Sequence, residues 1–147
     1  MIQNPVDDRI QRENTYLADR WQNQKNYYSN RVSFNKTWHQ RIRLFVGLTS
    51  VVIPVLLSLP GVDKSIPTLL SALVAVATVT EGVYSYGDNW RNFRQTLEKL
   101  KRERALYDAR VEPYHEPETA FSLFVKNCES AIAQETGEYF QSDQDKK

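Results

Sequence analysis

The chain has 147 residues, a length typical of one domain. Its 19 basic and 18 acidic side chains give a formal net charge of +1, so no charge bias points to nucleic acid or to an acidic substrate. Cys128 is the single cysteine, which excludes an intrachain disulfide and a multi-cysteine metal cluster. Because the sequence has no recognisable catalytic, phosphate-binding or metal-binding motif, we expect neither an enzyme nor a cofactor.

The first segment, residues 1–41, predicts a helix that lies on the cytoplasmic side of a membrane. It has no glycine or proline after Pro5. A narrow apolar seam, weakened by Gln24, is formed by residues that recur at spacings of seven, four, three and four: Ile10, Leu17, Trp21, Gln24 and Tyr28. The pattern is compatible with this helix continuing without a break into the apolar segment that follows.

Residues 42–87 contain two long apolar stretches separated by a short turn. The stretch from Leu44 to Val62 has no charged residue, and Glu81 is the only charged residue from Ile66 to Gly87. Each stretch is close to the ~20 residues that a helix needs to cross a bilayer. A soluble core helix normally has a polar face, which these stretches lack over about four turns each, so we interpret them as a transmembrane helical hairpin.

Basic residues flank the outer ends of this hairpin. Lys36, Arg41 and Arg43 precede the first span, basic side chains are frequent from Arg91 to Arg104, and the turn contains Lys64 alone. The positive-inside rule therefore predicts a multi-pass protein of the inner membrane with both termini in the cytoplasm. Aromatic residues typical of a membrane interface lie on that same side: Trp38, Tyr84, Tyr86 and Trp90.

Residues 88–114 predict a heptad-like cytoplasmic helix. Its apolar and aromatic residues recur by three or four, interrupted by Arg104, and they form the candidate assembly seam: Trp90, Phe93, Leu97, Leu100, Tyr107, Val111 and Tyr114. Such a seam can pack within one chain or between chains, and the sequence leaves both alternatives open. Residues 115–140 predict a last helix, and residues 141–147 predict a disordered tail.

Polar residues of the second span recur at helical spacing and so share one face. They are the candidate pore-lining residues: Ser71, Thr78, Glu81, Ser85 and Asp88. If several copies met along this face, a ring of Glu81 carboxylates would favour cations. Alternatively, Glu81 pairs with Arg41 or Arg43 at the base of the first span, or it extends to the membrane surface.

Small residues give both spans faces on which helices could approach closely. They are Gly47, Ser50, Pro54 and Ser58 in the first span, and Ala75, Thr78 and Gly82 in the second. One hairpin needs fewer such faces, so this pattern favours a homo-oligomer.

The stretch NWRNFRQTLEKLKRERALY, Asn89 to Tyr107, resembles a pattern of the bacterial two-transmembrane proteins of domain-of-unknown-function family 4231. Ile53–Pro54 in the first span and Glu81–Gly82 in the second also resemble that family. The family is similar to the SLATT superfamily, whose members are proposed to be pore-forming or membrane-disrupting effectors in bacterial conflict systems. The resemblance implies a helical membrane protein and gives a direction for its function.

The prediction for the fold is all-α, a transmembrane hairpin of two spans with long cytoplasmic helical extensions. The first functional hypothesis is a homo-oligomeric pore that is lined by the second span and conducts ions, with cations as the candidates. The second is a non-conducting membrane scaffold or sensor whose cytoplasmic helices bind a partner. The lipid bilayer is the expected surrounding in both cases, and nucleic acid is not an expected partner.

Overall fold

The computed structural model of the protein describes residues 5–144, and the side-chain surroundings of residues 7–137. All regular structure in that range is helical, which confirms the predicted all-α class. The elements are α1 (Pro5–Thr15), a π-helical segment (Tyr16–Trp21), α2 (Gln22–Ser58), α3 (Ser65–Tyr84), α4 (Tyr86–Ala109) and α5 (Ala120–Gln144). The first apolar stretch is therefore continuous with the polar helix that precedes it.

The chain divides into two compact units. One, the hairpin unit, is Val32–Trp90, and it contains the second half of α2, all of α3 and the first turn of α4. The other, the bundle unit, combines the chain before Val32 with the chain after Trp90.

A short turn joins the two helices of the hairpin unit. Gly61 has a φ of +89°, a left-handed conformation that favours glycine. The Asp63 carboxylate accepts a hydrogen bond of 2.9 Å from the backbone N–H of Ser65, the first residue of α3. Because α3 begins at Ser65, Pro67 lies in its first turn, where the missing N–H breaks no helical hydrogen bond.

Both helices of the hairpin unit expose large apolar side chains within this chain. In the most apolar 18-residue stretch of each helix, 0% of the residues in the first and 6% in the second are buried. Examples lie along both helices: Leu44, Leu48, Val51, Leu57, Leu69, Val76, Val79 and Val83. A core helix of a soluble protein would be mostly buried, whereas these two helices are long and apolar enough to cross a membrane.

The bundle unit has a conventional hydrophobic core. Leu100, Tyr114 and Phe124 have no exposed surface, and the Tyr107 ring stacks on Phe124 with 4.8 Å between ring centroids. Cys128 is 1% exposed in the same unit. Burial of these side chains supplies the main driving force for folding of the bundle.

The candidate assembly seam is the core of this bundle. Most of its members are buried inside one chain: Phe93, Leu97, Leu100, Tyr107 and Tyr114. Trp90 is half-buried, and Val111 is 46% exposed because it follows the end of α4. For the buried residues the intrachain alternative is the observed one, so they are not a free surface for neighbouring copies.

Two helix ends differ from the sequence prediction. α4 ends at Ala109 and not at residue 114, because Arg110 adopts a left-handed φ of +55°. α5 extends to Gln144, so residues 141–144, which were predicted to belong to a disordered tail, are helical. Residues 145–147 lie outside the described part of the chain.

Tyrosine–glutamate hydrogen bonds connect the helices of the bundle. Four tyrosine hydroxyls donate to glutamates, in the pairs Tyr16–Glu129, Tyr28–Glu135, Tyr107–Glu13 and Tyr114–Glu103. Arg20 adds two bonds of 3.0 and 2.9 Å to the same carboxylate that Tyr16 contacts. Its guanidinium holds the pKa of Glu129 below the ordinary value, and burial raises the pKa of Tyr16.

Candidate functional site at the foot of the hairpin

The foot of the hairpin, its end opposite the turn, contains a break between α3 and α4. Ser85 has φ and ψ of 47° and 45°, a left-handed conformation that ends α3. The carbonyls at this helix end still have donors, since the Ser85 N–H bonds to the Glu81 carbonyl and the Asn89 amide bonds to the Tyr84 carbonyl. The break is therefore a satisfied helix terminus, comparable to the αL caps that more often use glycine.

This break changes the predicted polar face of the second span. The spacing from Glu81 to Ser85 and Asp88 places them on one face only if the helix is continuous. Because Ser85 interrupts it, Asp88 belongs to the first turn of α4 instead. Ser71 and Thr78 remain on α3, where each hydroxyl donates a 2.8 Å hydrogen bond to a carbonyl of its own helix.

The carboxylate of Glu81 binds a histidine of the first helix. His39 Nδ1 lies 2.6 Å from Glu81 Oε1, and the backbone N–H of Gly87 donates to the same oxygen at 3.3 Å. The two side chains are only 20% and 23% exposed. The structure thus gives Glu81 a partner in its own chain, and that partner is His39 and not Arg41 or Arg43.

Gly87 is required for this arrangement. A methyl group at its Cα would lie 2.7 Å from His39 Cε1, closer than real Cβ atoms approach other heavy atoms. Only glycine therefore lets the backbone of α4 pass against the imidazole ring while its N–H reaches Glu81.

The second oxygen of the Glu81 carboxylate has a different environment from the first. Glu81 Oε2 is buried and has no hydrogen-bond partner among the described residues. A buried oxygen without a donor weakens the site, and it does so most when the carboxylate is charged.

Hairpin register could have predicted His39 as the partner. Glu81 lies 16 residues beyond Ser65, where α3 begins, and Ile42 lies 16 residues before Ser58, where α2 ends. Since both helices rise 1.5 Å per residue, the partner of Glu81 is expected within one turn of Ile42. The charge pattern indicates only the permanent cations of that turn, Arg41 and Arg43, and so misses the histidine.

Four aromatic rings form a continuous cluster beside this pair. Trp38 stacks on Tyr86 at 6.4 Å between centroids, Tyr86 stacks on Tyr84 at 5.5 Å, and Phe34 lies 6.2 Å from Trp38. Three of these residues belong to the predicted interfacial group, and Phe34 does not. Its position four residues before Trp38, one turn away on the same face, was the available signal.

The bundle unit has a separate polar cleft between α4 and α5. Lys99 Nζ donates to Gln134 Oε1 across it at 3.0 Å, and the cleft encloses about 320 Å³. Its lining is mostly polar: Lys99, Glu103, Asn127, Ser130, Ala131 and Gln134. The residues that the structure describes include no group of three or more potential metal-binding side chains.

The fold and this site define a class, an all-helical protein with a hairpin that is long and apolar enough to cross a membrane. The family model described as "Protein of unknown function (DUF4231)" matches residues 23–122. The chain belongs to this family, which confirms the resemblance seen in its sequence. No curated protein and no solved structure matches the chain.

Proposed function

We propose that the protein is a two-span membrane protein of the inner membrane, with the bundle unit in the cytoplasm. The observation that carries this proposal is the exposure of the apolar hairpin, whose large side chains find no cover within the described chain. Exposed apolar surface of this extent is unfavourable in water and favourable in lipid. The basic residues Lys36, Arg41 and Arg43 support the cytoplasmic orientation of the foot.

Within the membrane, the role that the geometry supports best is a non-catalytic scaffold or sensor. The carboxylate that a cation pathway along α3 would need is occupied by His39 of the same chain. The hydroxyls of Ser71 and Thr78 are bonded to their own helix and so do not require a water-filled axis. The polar cleft between α4 and α5 offers hydrogen-bonding groups to a cytoplasmic partner.

The second candidate is a homo-oligomeric ion-conducting pore lined by α3. One observation favours assembly through the hairpin: a methyl group added at Gly47 or at Gly82 would meet nothing within 4 Å. The hairpin itself does not use these two glycines, so they remain available for close approach of another copy. Conduction would then require His39 and Glu81 to separate or to face the pathway together.

Ion flux in liposomes separates the two candidates. We would reconstitute the full chain, record cation flux, and crosslink the protein in the same membranes to obtain its oligomeric state. Flux that falls in Glu81→Gln but not in Asp63→Asn, a control in the turn, would favour the pore. A protein that inserts and conducts nothing between pH 5 and 8 supports the scaffold or sensor.

A further inference from the structure

The aromatic cluster at the foot of the hairpin is exposed, although its rings contact one another. Phe34, Trp38 and Tyr84 are 51%, 42% and 59% exposed. Such a patch of large rings is unusual on a surface that faces only water. It lies at the end of the apolar stretch, the level at which tryptophan and tyrosine meet lipid headgroups.

The hydroxyls of this cluster differ from those of the bundle. Tyr16, Tyr28, Tyr107 and Tyr114 in the bundle unit each donate to a glutamate. Within the described residues, the hydroxyls of Tyr84 and Tyr86 have no protein hydrogen-bond partner. Their rings stack with an interplanar angle of 19°, and both hydroxyls remain available to donate to a group outside the protein.

The side chain of Arg41 lies on the same side of α2 as the aromatic cluster. Phe34, Trp38, Arg41 and Phe45 follow a spacing of four, three and four, which places all of them on one helical face. Arg41 is exposed, and it has no carboxylate partner among the described residues. Lys36 and Arg43 lie about half a turn away, on the other side of the helix.

We infer that this surface binds the headgroup of an anionic phospholipid at the cytoplasmic membrane interface. The Arg41 guanidinium contacts the phosphate, a group whose geometry it matches with two parallel hydrogen bonds. The Tyr84 and Tyr86 hydroxyls donate to the polar headgroup. The rings of Trp38 and Phe34 precede Arg41 in α2 and so border that headgroup on its cytoplasmic side. This inference rests on the proposed membrane insertion and adds a lipid preference on one side of the hairpin.

Tryptophan quenching by brominated lipid tests the inference directly. In the variant with Trp21→Phe and Trp90→Phe, Trp38 is the only emitting tryptophan. The protein is reconstituted in brominated phosphatidylcholine mixed with increasing amounts of unbrominated phosphatidylglycerol. Preferential binding of the anionic lipid displaces the brominated one from Trp38, so fluorescence should recover at a lower phosphatidylglycerol fraction than random mixing predicts.

Substitutions on the two sides of α2 provide the matched comparison. Arg41→Gln should lower the relative association constant for phosphatidylglycerol at Trp38 about fivefold, the effect of one cation at an anionic membrane surface. Lys36→Gln removes the same charge from the opposite side and should change that constant less than twofold. Equal effects of the two substitutions, or no preference in the parent, would overturn the inference.

A second probe keeps this result separate from the question of insertion. Val76→Trp, with all three native tryptophans replaced by phenylalanine, reports from the middle of α3. Quenching at residue 76 without anionic preference at Trp38 rejects the lipid site alone, whereas no quenching at residue 76 rejects membrane insertion itself. Circular dichroism shows whether the variant with Trp21→Phe and Trp90→Phe folds. If it does not, Arg41→Gln and Lys36→Gln are compared in the protein with its native tryptophans. A larger effect of Arg41→Gln then supports the inference, and equal effects overturn it.

Discussion

His39 Nδ1 and Glu81 Oε1 lie 2.6 Å apart and connect the two helices of the apolar hairpin at its foot. This contact explains how an ionisable carboxylate is accommodated beside an apolar span. A charged residue near the middle of a span costs ~2.5–3.5 kcal/mol on insertion scales, and less toward the interface. Glu81 lies about one helical turn before the end of α3. The His39 imidazole and the backbone N–H of Gly87 both contact its carboxylate.

The first prediction concerns the energy of this pair. Glu81→Gln and His39→Gln should each lower the thermal unfolding temperature in detergent, and the double variant should be less destabilised than the sum of the two. Because the side chains are mostly buried, we expect a coupling free energy of about 1–2 kcal/mol. Arg41→Gln combined with Glu81→Gln should be additive. Additivity for His39 and coupling for Arg41 would show that the partner is the arginine.

A second prediction uses the glycines of the hairpin unit. Gly87→Ala should cost about 1–3 kcal/mol, because the new methyl group would lie 2.7 Å from His39 Cε1. Gly82→Ala is the matched control, since a methyl group there meets nothing within 4 Å in the single chain. Thermal unfolding in detergent measures both. Combining His39→Ala with Gly87→Ala should relieve the penalty, and a penalty that persists would place the strain elsewhere.

The sequence predicts part of this site and misses the rest for physical reasons. Leu44 to Val62 and Ile66 to Gly87 indicate the hairpin because apolar length and the lack of charge are properties of the chain itself. The left-handed Ser85 is not predictable in the same way, because a serine in that conformation depends on what surrounds it. The choice between His39 and the arginines required the register of two helices, which a count from the turn supplies but a charge pattern does not.

The bundle shows the same division between pattern and context. A spacing of three and four from Phe93 to Leu100 predicts an apolar helix face, but it does not say whether that face packs within one chain or against another copy. In the structure the face is buried by other residues of the same chain. The early end of α4 depends on Arg110, whose backbone conformation no residue pattern indicates.

A third prediction separates folding from assembly. Leu100→Ala should destabilise the bundle by about 2–5 kcal/mol, because it leaves a cavity at a side chain with no exposed surface. Val111→Ala, at a residue that is 46% exposed, should cost much less. Circular dichroism during thermal unfolding measures the stability, and native mass spectrometry measures the oligomeric state. Dissociation of an oligomer with an unchanged melting temperature would mean that Leu100 lies between chains.

A fourth prediction concerns acid stability. The Arg20 guanidinium holds the pKa of Glu129 below its ordinary value, so this pair stabilises the folded state fully above the unfolded pKa of about 4.3. That contribution is lost as the pH falls through the lower, folded pKa. Arg20→Gln should therefore weaken the bundle at pH 7 and reduce its further loss of stability below pH 4. Lys101→Gln is the control, since its partner Glu98 is 59% exposed.

The control comparison also defines what would contradict this prediction. Chemical unfolding of the full chain in detergent between pH 3 and 7 gives both stability profiles. If Arg20→Gln and Lys101→Gln produce parallel profiles, the salt bridge between Arg20 and Glu129 does not contribute to acid sensitivity, despite its 2.9 Å contact.

The last prediction concerns topology and the native thiol. Cys128 is 1% exposed, and burial raises its pKa to about 12, so almost no thiolate exists at pH 8. Maleimide should therefore not react with Cys128 in the folded protein, and this thiol cannot report the orientation of the hairpin.

The orientation can be measured with exposed cysteines introduced at Ser65, in the first turn of α3, and at Ser122, in α5. In intact cells a membrane-impermeant maleimide should label Ser65→Cys, and it should label Ser122→Cys only after permeabilisation. Labelling of Ser122→Cys alone in intact cells would reverse the proposed orientation, and labelling of both at equal rates would mean that the hairpin does not span the membrane.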